Sequence, residues 1–288
     1  MMATKVVTDS TSYLSSEMRD EFDIRTVSLA VNFSDGAYFE EDVEVGWFYK
    51  KMASSGEVPT SSQPSVKSLV DAFEKPVAAG DEVVGVFLSS AMSGTHHTAL
   101  IARDMVLEKY PDARIELVDS RSNCMELGMA VLAAARVARD GGSAQEAAQA
   151  AEATVLRTRF LFVPHELTYL KKGGRIGGAS ALVGALLQIR PILTVAHGET
   201  DVFSKVRTKK RAMDAIAKAC EADIAEKGFV DAVVHHIDDE DEGRLLVDLI
   251  EPVIGMRPPL VPLGPVIGLH VGPGTVGLVY QTDKEMNK

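Results

Sequence analysis

Glu82-Val83-Val84-Gly85-Val86-Phe87-Leu88 runs directly into Ser89-Ser90-Ala91-Met92-Ser93-Gly94-Thr95. A mostly apolar, β-branched run that ends in small hydroxylated residues reads as a buried strand stopping at a loop. A helical pattern over Thr95–Lys109 and a further strand over Arg114–Val118 follow it. Strand, helix and strand in that order make a βαβ unit, so the two strands lie parallel in one sheet.

The same alternation extends on either side. Lys5–Thr8 and Thr26–Asn32 read as strands, and Trp47–Ser55, Ser65–Lys75, Leu127–Asp140 and Ala144–Arg157 as helices. The first half is therefore expected to be an α/β domain with a mostly parallel sheet. Two more of its strands also end in hydroxyl-rich sequence, at Thr8-Asp9-Ser10-Thr11-Ser12 and Asp119-Ser120-Arg121-Ser122. Ligands of open parallel sheets sit outside the carboxyl ends of the strands, so these loops are expected to line one edge. Helix capping is the competing explanation, since Ser, Thr and Asp satisfy free N–H groups at helix starts. It accounts for Asp9 and Asp119 better than for Ser89–Thr95, because one cap does not need so many hydroxyls.

After Arg157 the pattern changes. Phe160–Pro164, Ile192–Ala196, Ala232–His236 and Val276–Tyr280 read as strands, and Ala181–Leu187, Arg211–Lys227 and Gly243–Ile250 as helices. This gives a second α/β domain, with the boundary expected between residues 159 and 160. The first domain, 1–159, carries the hydroxyl loops. The second, 160–288, carries a basic segment and a Gly/Pro-rich loop around His270.

Composition narrows the function classes. The chain has 288 residues, 46% of them apolar, and 30 Lys+Arg against 41 Asp+Glu give a net charge of −11. Such acidity argues against general binding to nucleic acid or to anionic membrane. Residues 157–211 run the other way, with 11 basic residues against three acidic ones. Cys124 and Cys220 are the two cysteines, too few for a disulfide framework, and a reducing cytoplasm is expected. Residues Pro258–Thr282 are uncharged and long enough to span a bilayer, but five prolines and five glycines exclude a continuous helix. No leader is expected, and membrane contact is expected to be transient at most.

Motifs for stand-alone catalysis are missing. Gly173-Gly174-Arg175-Ile176-Gly177-Gly178 lacks the Lys-Ser/Thr ending of a phosphate loop. Gly272-Pro273-Gly274-Thr275-Val276-Gly277 matches G-x-G-x-x-G but leads into a strand instead of a helix. His235 and His236 are neighbours on a strand and point to opposite faces, which disfavours a shared metal ion. Ser93, with His96 and His97 nearby, is the one candidate nucleophile, although Ala91 breaks G-x-S-x-G.

Several segments together carry a resemblance. They are Val7-Thr8-Asp9-Ser10-Thr11, Pro59-Thr60-Ser61-Ser62-Gln63-Pro64-Ser65, Leu88-Ser89-Ser90 through Ser93-Gly94-Thr95, Val118-Asp119-Ser120, Gly173-Gly174-Arg175-Ile176, Arg190-Pro191-Ile192-Leu193 and Gly268-Leu269-His270-Val271-Gly272-Pro273-Gly274. In this order the chain resembles the DegV family, the fatty-acid-binding subunits of bacterial fatty acid kinase. The resemblance spans about residues 5 to 280. It implies a two-domain α/β protein with a ligand tunnel between or beneath the domains, holding one long-chain fatty acid. It also implies a separate ATP-binding kinase subunit that phosphorylates the fatty acid's carboxylate, and no cofactor or metal in this chain.

By position, the resemblance makes Ser61, Ser62 and Ser93 carboxylate ligands, with Gly94 and Thr95 beside them. His270 would lie at the carboxyl group and help the acyl phosphate form. Arg175 and Arg207 would serve phosphoryl transfer or kinase docking. Some positions depart from the family's habit: Ser61 replaces a common Thr, His96 and His97 replace an aromatic and Gln, Arg190 replaces Lys, and Cys124 and Glu126 replace Ser and Gly. The tunnel would be aliphatic, with Ala181–Ile189 as a wall or lid. Two other readings compete: a serine hydrolase or acyltransferase using Ser93, and a small-ketone phosphotransferase subunit with a fold like dihydroxyacetone kinase.

Overall fold

The computed structural model describes residues 3–183 and 189–286. In chain order its strands are β1 (Thr4–Asp9), β2 (Ile24–Val27), β3 (Ala30–Phe33), β4 (Gly36–Phe39), β5 (Thr60–Ser62), β6 (Glu82–Phe87), β7 (Ile115–Asp119), β8 (Thr158–Val163), β9 (Arg190–Ala196), β10 (Glu199–Val206), β11 (Asp231–Ile237), β12 (Leu260–Pro262) and β13 (Thr275–Gln281). Its helices are α1 (Ser16–Glu21), α2 (Val45–Ser55), α3 (Val66–Ala78), α4 (Thr95–Lys109), α5 (Cys124–Arg139), α6 (Ala144–Val155), α7 (Thr168–Lys172), α8 (Lys209–Lys227), α9 (Glu240–Ile254) and α10 (Pro265–Val271).

The chain forms two compact units. One gathers Met1–Ala30, Phe39–Glu41 and Ser62–Val155; the other gathers Val31–Tyr38, Asp42–Ser61 and Leu156–Lys288. This grouping is not the linear cut expected at 159/160. Residues 31–38 and 42–61 group with the C-terminal half. Long-range contacts explain that: Tyr49 of α2 donates its hydroxyl to the carbonyls of Leu263 and Gly264, at 3.0 and 3.3 Å. Local periodicity carries no trace of such a pairing.

The first unit is built on a four-stranded sheet of order β2-β1-β6-β7, and every pairing in it is parallel. On one face, Val7, Val27, Val83, Phe87 and Ile115 pack against Leu69, Ala72 and Phe73 of α3 and Ala99, Ala102 and Val106 of α4. The alternate residues Val6, Val84 and Val86 are also buried, and α5 and α6 pack against β1, β6 and β7. Burial of both faces is why the β6 sequence is apolar throughout instead of alternating. The strand expected over Thr26–Asn32 is two strands, β2 and β3, interrupted at Ser28 and Leu29.

The second unit holds a six-stranded sheet of order β10-β9-β8-β13-β11-β12. All its pairings are antiparallel except β11 with β12. The β9–β10 hairpin closes through His197 and Gly198, both with positive φ, as a two-residue type I′ turn requires. Helices α8 and α9 bury Ala212, Met213, Ile216, Leu246 and Ile250 against Leu161, Val234, Val276 and Leu278. A smaller sheet, β4-β3-β5, precedes them in the chain.

Of the helix expected over Ala181–Leu187, Ala181 and Leu182 end a 3-10 turn, Gly177–Leu182. Residues 184–188, the centre of the expected lid, lie outside the described residues. His270 is corrected from loop to helix. Pro265 opens α10 and Gly272, at φ 91°, closes it, the positions where Pro and Gly favour a helix's ends. No described helix is long and apolar enough to cross a membrane.

Candidate functional site

In the second unit, Ser61 and His270 meet. They are 209 positions apart in the chain, yet Ser61 Oγ lies 2.8 Å from His270 Nε2. Ser61 sits on β5, and His270 in the last turn of α10. Small residues bring the ring there. A Cβ on Gly268 would stand 1.9 Å from the Tyr49 hydroxyl, so α10 lies tight on α2 only because residue 268 has no side chain. A Cβ on Gly173 would stand 2.3 Å from His270 Nδ1, so the imidazole rests against the end of α7 for the same reason.

The imidazole's electrical state follows from this packing. Burial pushes its pKa down to about 4, and the charge of Arg175 pushes the same way. His270 is therefore neutral at neutral pH. Its Nδ1 is buried and has no hydrogen-bond partner among the described residues. Arg175 is exposed and donates Nη1 to the Gly173 carbonyl at 2.6 Å. Arg207 is exposed at the end of β10, just before Thr208 caps α8. No described hydrogen bond or ion pair joins Arg207 to His270.

In the first unit, Ser93, Gly94 and Thr95 form the start of α4. Gly94 takes the capping position and offers no side-chain cap. Ser93 Oγ lies 2.9 Å from Thr95 Oγ1 and accepts from the Thr95 N–H at 3.3 Å. A helix start with hydroxyls and no capping carboxylate presents donors suited to an anion. Ser62 is exposed, and Gln63 next to it donates Nε2 to Thr98 Oγ1 at 2.5 Å. A Cβ on Gly94 would collide with the Gln63 carboxamide at 2.0 Å. Gln63, Gly173 and Tyr49 thus belong to the two clusters and were not singled out by residue type. Gln63 and Gly173 do stand inside the segments that carry the family resemblance.

The loop is rooted by Asp9. Its Oδ1 accepts from the Thr11 N–H and hydroxyl, at 2.9 and 2.5 Å, and its Oδ2 accepts from the Leu88 N–H at 2.8 Å. It therefore joins the ends of β1 and β6 immediately before Ser89. Burial raises its pKa to about 6, against the lowering effect of those hydrogen bonds.

The arrangement does not favour hydrolysis by Ser93. Its hydroxyl faces Thr95 instead of a histidine, and His96 Nε2 is buried with no partner among the described residues. Among the described residues, no group of three or more His, Cys, Asp or Glu is placed to hold a metal ion. His235 Nδ1 lies 3.0 Å from the Val261 carbonyl, and burial holds the ring's pKa near 4.

Comparison with known proteins places the chain in a family. The chain is 50% identical over 285 residues to a DegV domain-containing protein of Clostridium acetobutylicum, covering 99% of this chain and all of the relative. It superposes with a TM-score of 0.89 on a stearic-acid-binding protein of Eubacterium ventriosum, at 27% identity, covering 98% of this chain and 99% of that one. With DegV of Bacillus subtilis, a fatty-acid-binding protein, the TM-score is 0.88 at 30% identity, covering 98% and 100%. A family profile described as "Uncharacterised protein, DegV family" matches residues 3–283. With nearly every residue inside that match and the same fold throughout, the chain belongs to the DegV family.

Proposed function

We propose that this protein binds one long-chain fatty acid and presents its carboxylate to a separate ATP-dependent kinase subunit, which forms the acyl phosphate. The observation that carries the reading is the neutral, half-buried His270 bonded to Ser61, in a chain whose fold matches proteins named for fatty acid binding. Burying a C16 tail of about 14 methylenes at ~0.8 kcal/mol each gives on the order of 11 kcal/mol before the costs of ordering. An unpaired buried carboxylate would cancel that gain. Neutral donors avoid the problem, because they bond an anion without needing a buried cation.

In this reading Ser61, Ser62, Ser93, Gly94 and Thr95 are the carboxylate ligands, and His270 serves the carboxyl group through its bond to Ser61. Arg175 and Arg207 serve phosphoryl transfer or docking of the kinase, together with the basic segment of residues 157–211. The chain itself is a cytoplasmic carrier with no cofactor of its own, and its membrane contact is transient. The hydrolase alternative has no observation in its favour.

Two outcomes test the proposal. Solvent extraction of the purified protein followed by mass spectrometry is expected to release about one long-chain fatty acid per chain; a lipid-free protein that takes up none on addition would sink the reading. Arg175→Ala is expected to keep the bound lipid but slow acyl-phosphate formation with the kinase. Phosphorylation at the wild-type rate would remove Arg175 from that step.

A further inference from the structure

The hydrogen-bond inventory around His270 leaves one consistent direction for the proton. Neutral imidazole carries one N–H, on either nitrogen. If Nδ1 held it, a buried donor would face Gly173 with no acceptor, which is a costly arrangement. Arg175, tied to the Gly173 carbonyl, adds positive charge on that side and favours a bare lone pair there. Nε2 has a partner at 2.8 Å in Ser61 Oγ. Either tautomer can make that bond, but only a proton on Nε2 leaves no unpaired donor at Nδ1, and orphaned buried N–H groups are rarer than under-satisfied acceptors.

That choice fixes what Ser61 does. A serine hydroxyl has a single proton. When Ser61 accepts from Nε2–H, its own proton is free to point away from His270. With the opposite tautomer Ser61 would spend its proton on Nε2 and offer incoming ligands only lone pairs. We infer that His270 holds its proton on Nε2 and acts through Ser61 as a positioning residue, turning Ser61 into a one-way donor that selects acceptor-only, anionic head groups, with Gly173 as the residue that admits the ring. This rests on the fatty-acid reading and deepens it. Of the side chains that the elements packed on α10 carry, α7 brings Tyr169, Lys171 and Lys172, and α2 brings Tyr49, Lys50 and Lys51. Neither helix brings a carboxylate that would favour imidazolium.

The test combines spectroscopy with a mutant cycle. In protein labelled with nitrogen-15, His270 is expected to show a protonated Nε2 and a bare Nδ1 from pH 6 to 8, unloaded and loaded alike. Displacement of a fluorescent fatty acid is expected to give binding at least about tenfold weaker for the alcohol of the same chain length than for the acid, since hydrogen bonds to charged groups are the stronger ones. His270→Ala is expected to weaken acid binding by about tenfold, and His270→Gln, which keeps a neutral N–H donor, to stay within about threefold of wild type. In a Ser61→Ala background the two replacements are expected to be equal. Gly173→Ala is expected to match His270→Ala and to add nothing to it.

A protonated Nδ1 in either state, equal binding of acid and alcohol, or a His270→Gln loss as large as that of His270→Ala would each overturn the inference. A wild-type protein that binds no fatty acid would sink the proposed function instead. The nitrogen spectrum of the unloaded protein would still decide the direction of the relay.

Discussion

Gly268→Ala is expected to destabilise the second unit by about 2–4 kcal/mol and to displace His270. The magnitude adds an overpacking cost of about 1–3 kcal/mol to a lost buried hydrogen bond worth about 1 kcal/mol. The new methyl would lie 1.9 Å from the Tyr49 hydroxyl, 2.7 Å from Cζ and 2.9 Å from Cε1. The ring must leave, because both residues are buried and α10 is short. Leaving breaks the bonds that Tyr49 makes to Leu263 and Gly264, which hold the start of the helix carrying His270. Denaturant unfolding reads the first effect, and fatty acid displacement reads the second. Tyr49→Phe is not expected to rescue Gly268→Ala, since the ring carbons still clash. Tyr49→Leu, which removes those carbons, is expected to recover part of the stability but not the placement of His270. A Gly268→Ala protein with wild-type stability would show that α10 does not depend on this contact.

The same helix shows where sequence reasoning reached its limit. The strand–loop–helix units of the first half were legible because their signals are local. An apolar strand, hydroxyls at its end and a helical period follow one another within about 30 residues. α10 was hidden by its composition: Gly and Pro crowd residues 258–277, so the stretch read as loop. Pro265 and Gly272 are in fact its end signals, at the start and just past the end. β10 was hidden for another reason. It lies at a sheet edge, and its Asp201, Phe203 and Lys205 are exposed while the residues between them are partly covered. Its mixed polarity therefore resembled a loop. The grouping of residues 42–61 with the C-terminal half rests on contacts across more than 200 positions, as does the Ser61–His270 bond. No window of sequence contains both partners. The family resemblance points to roles for His270 and Ser61, whereas the roles of Gly173 and Tyr49 follow only from the packing around the ring.

Asp9 carries the second large effect, and its sign is opposite to that of an ordinary paired carboxylate. Its pKa is about 6 in the folded protein against an ordinary value of 3.8, because burial outweighs three accepted hydrogen bonds. A carboxyl group with a raised folded-state pKa is protonated more readily folded than unfolded. Its linkage contribution is therefore fully present below about pH 4 and is lost as pH rises through 6. The span corresponds to ~3 kcal/mol at 1.36 kcal/mol per pKa unit. Asp9→Asn cannot titrate, so the stability difference between wild type and variant isolates this group from every other carboxylate. Wild type is expected to gain about 2.4 kcal/mol of that relative to Asp9→Asn as pH falls from 8 to 4. Chemical denaturation of both proteins at several pH values measures it. A gain in the other direction would mean that the bonds to Thr11 and Leu88 dominate and that Asp9 is held ionised. The functional consequence is local. The Leu88 N–H sits one residue before the Ser89–Thr95 loop, and an asparagine that turns its carboxamide NH₂ toward Leu88 meets a donor with a donor. Asp9→Asn is therefore expected to weaken fatty acid binding at pH 7 in the same direction as Ser93→Ala, while Asp9→Ala, which leaves the Leu88 and Thr11 donors unpaired, costs more stability than either.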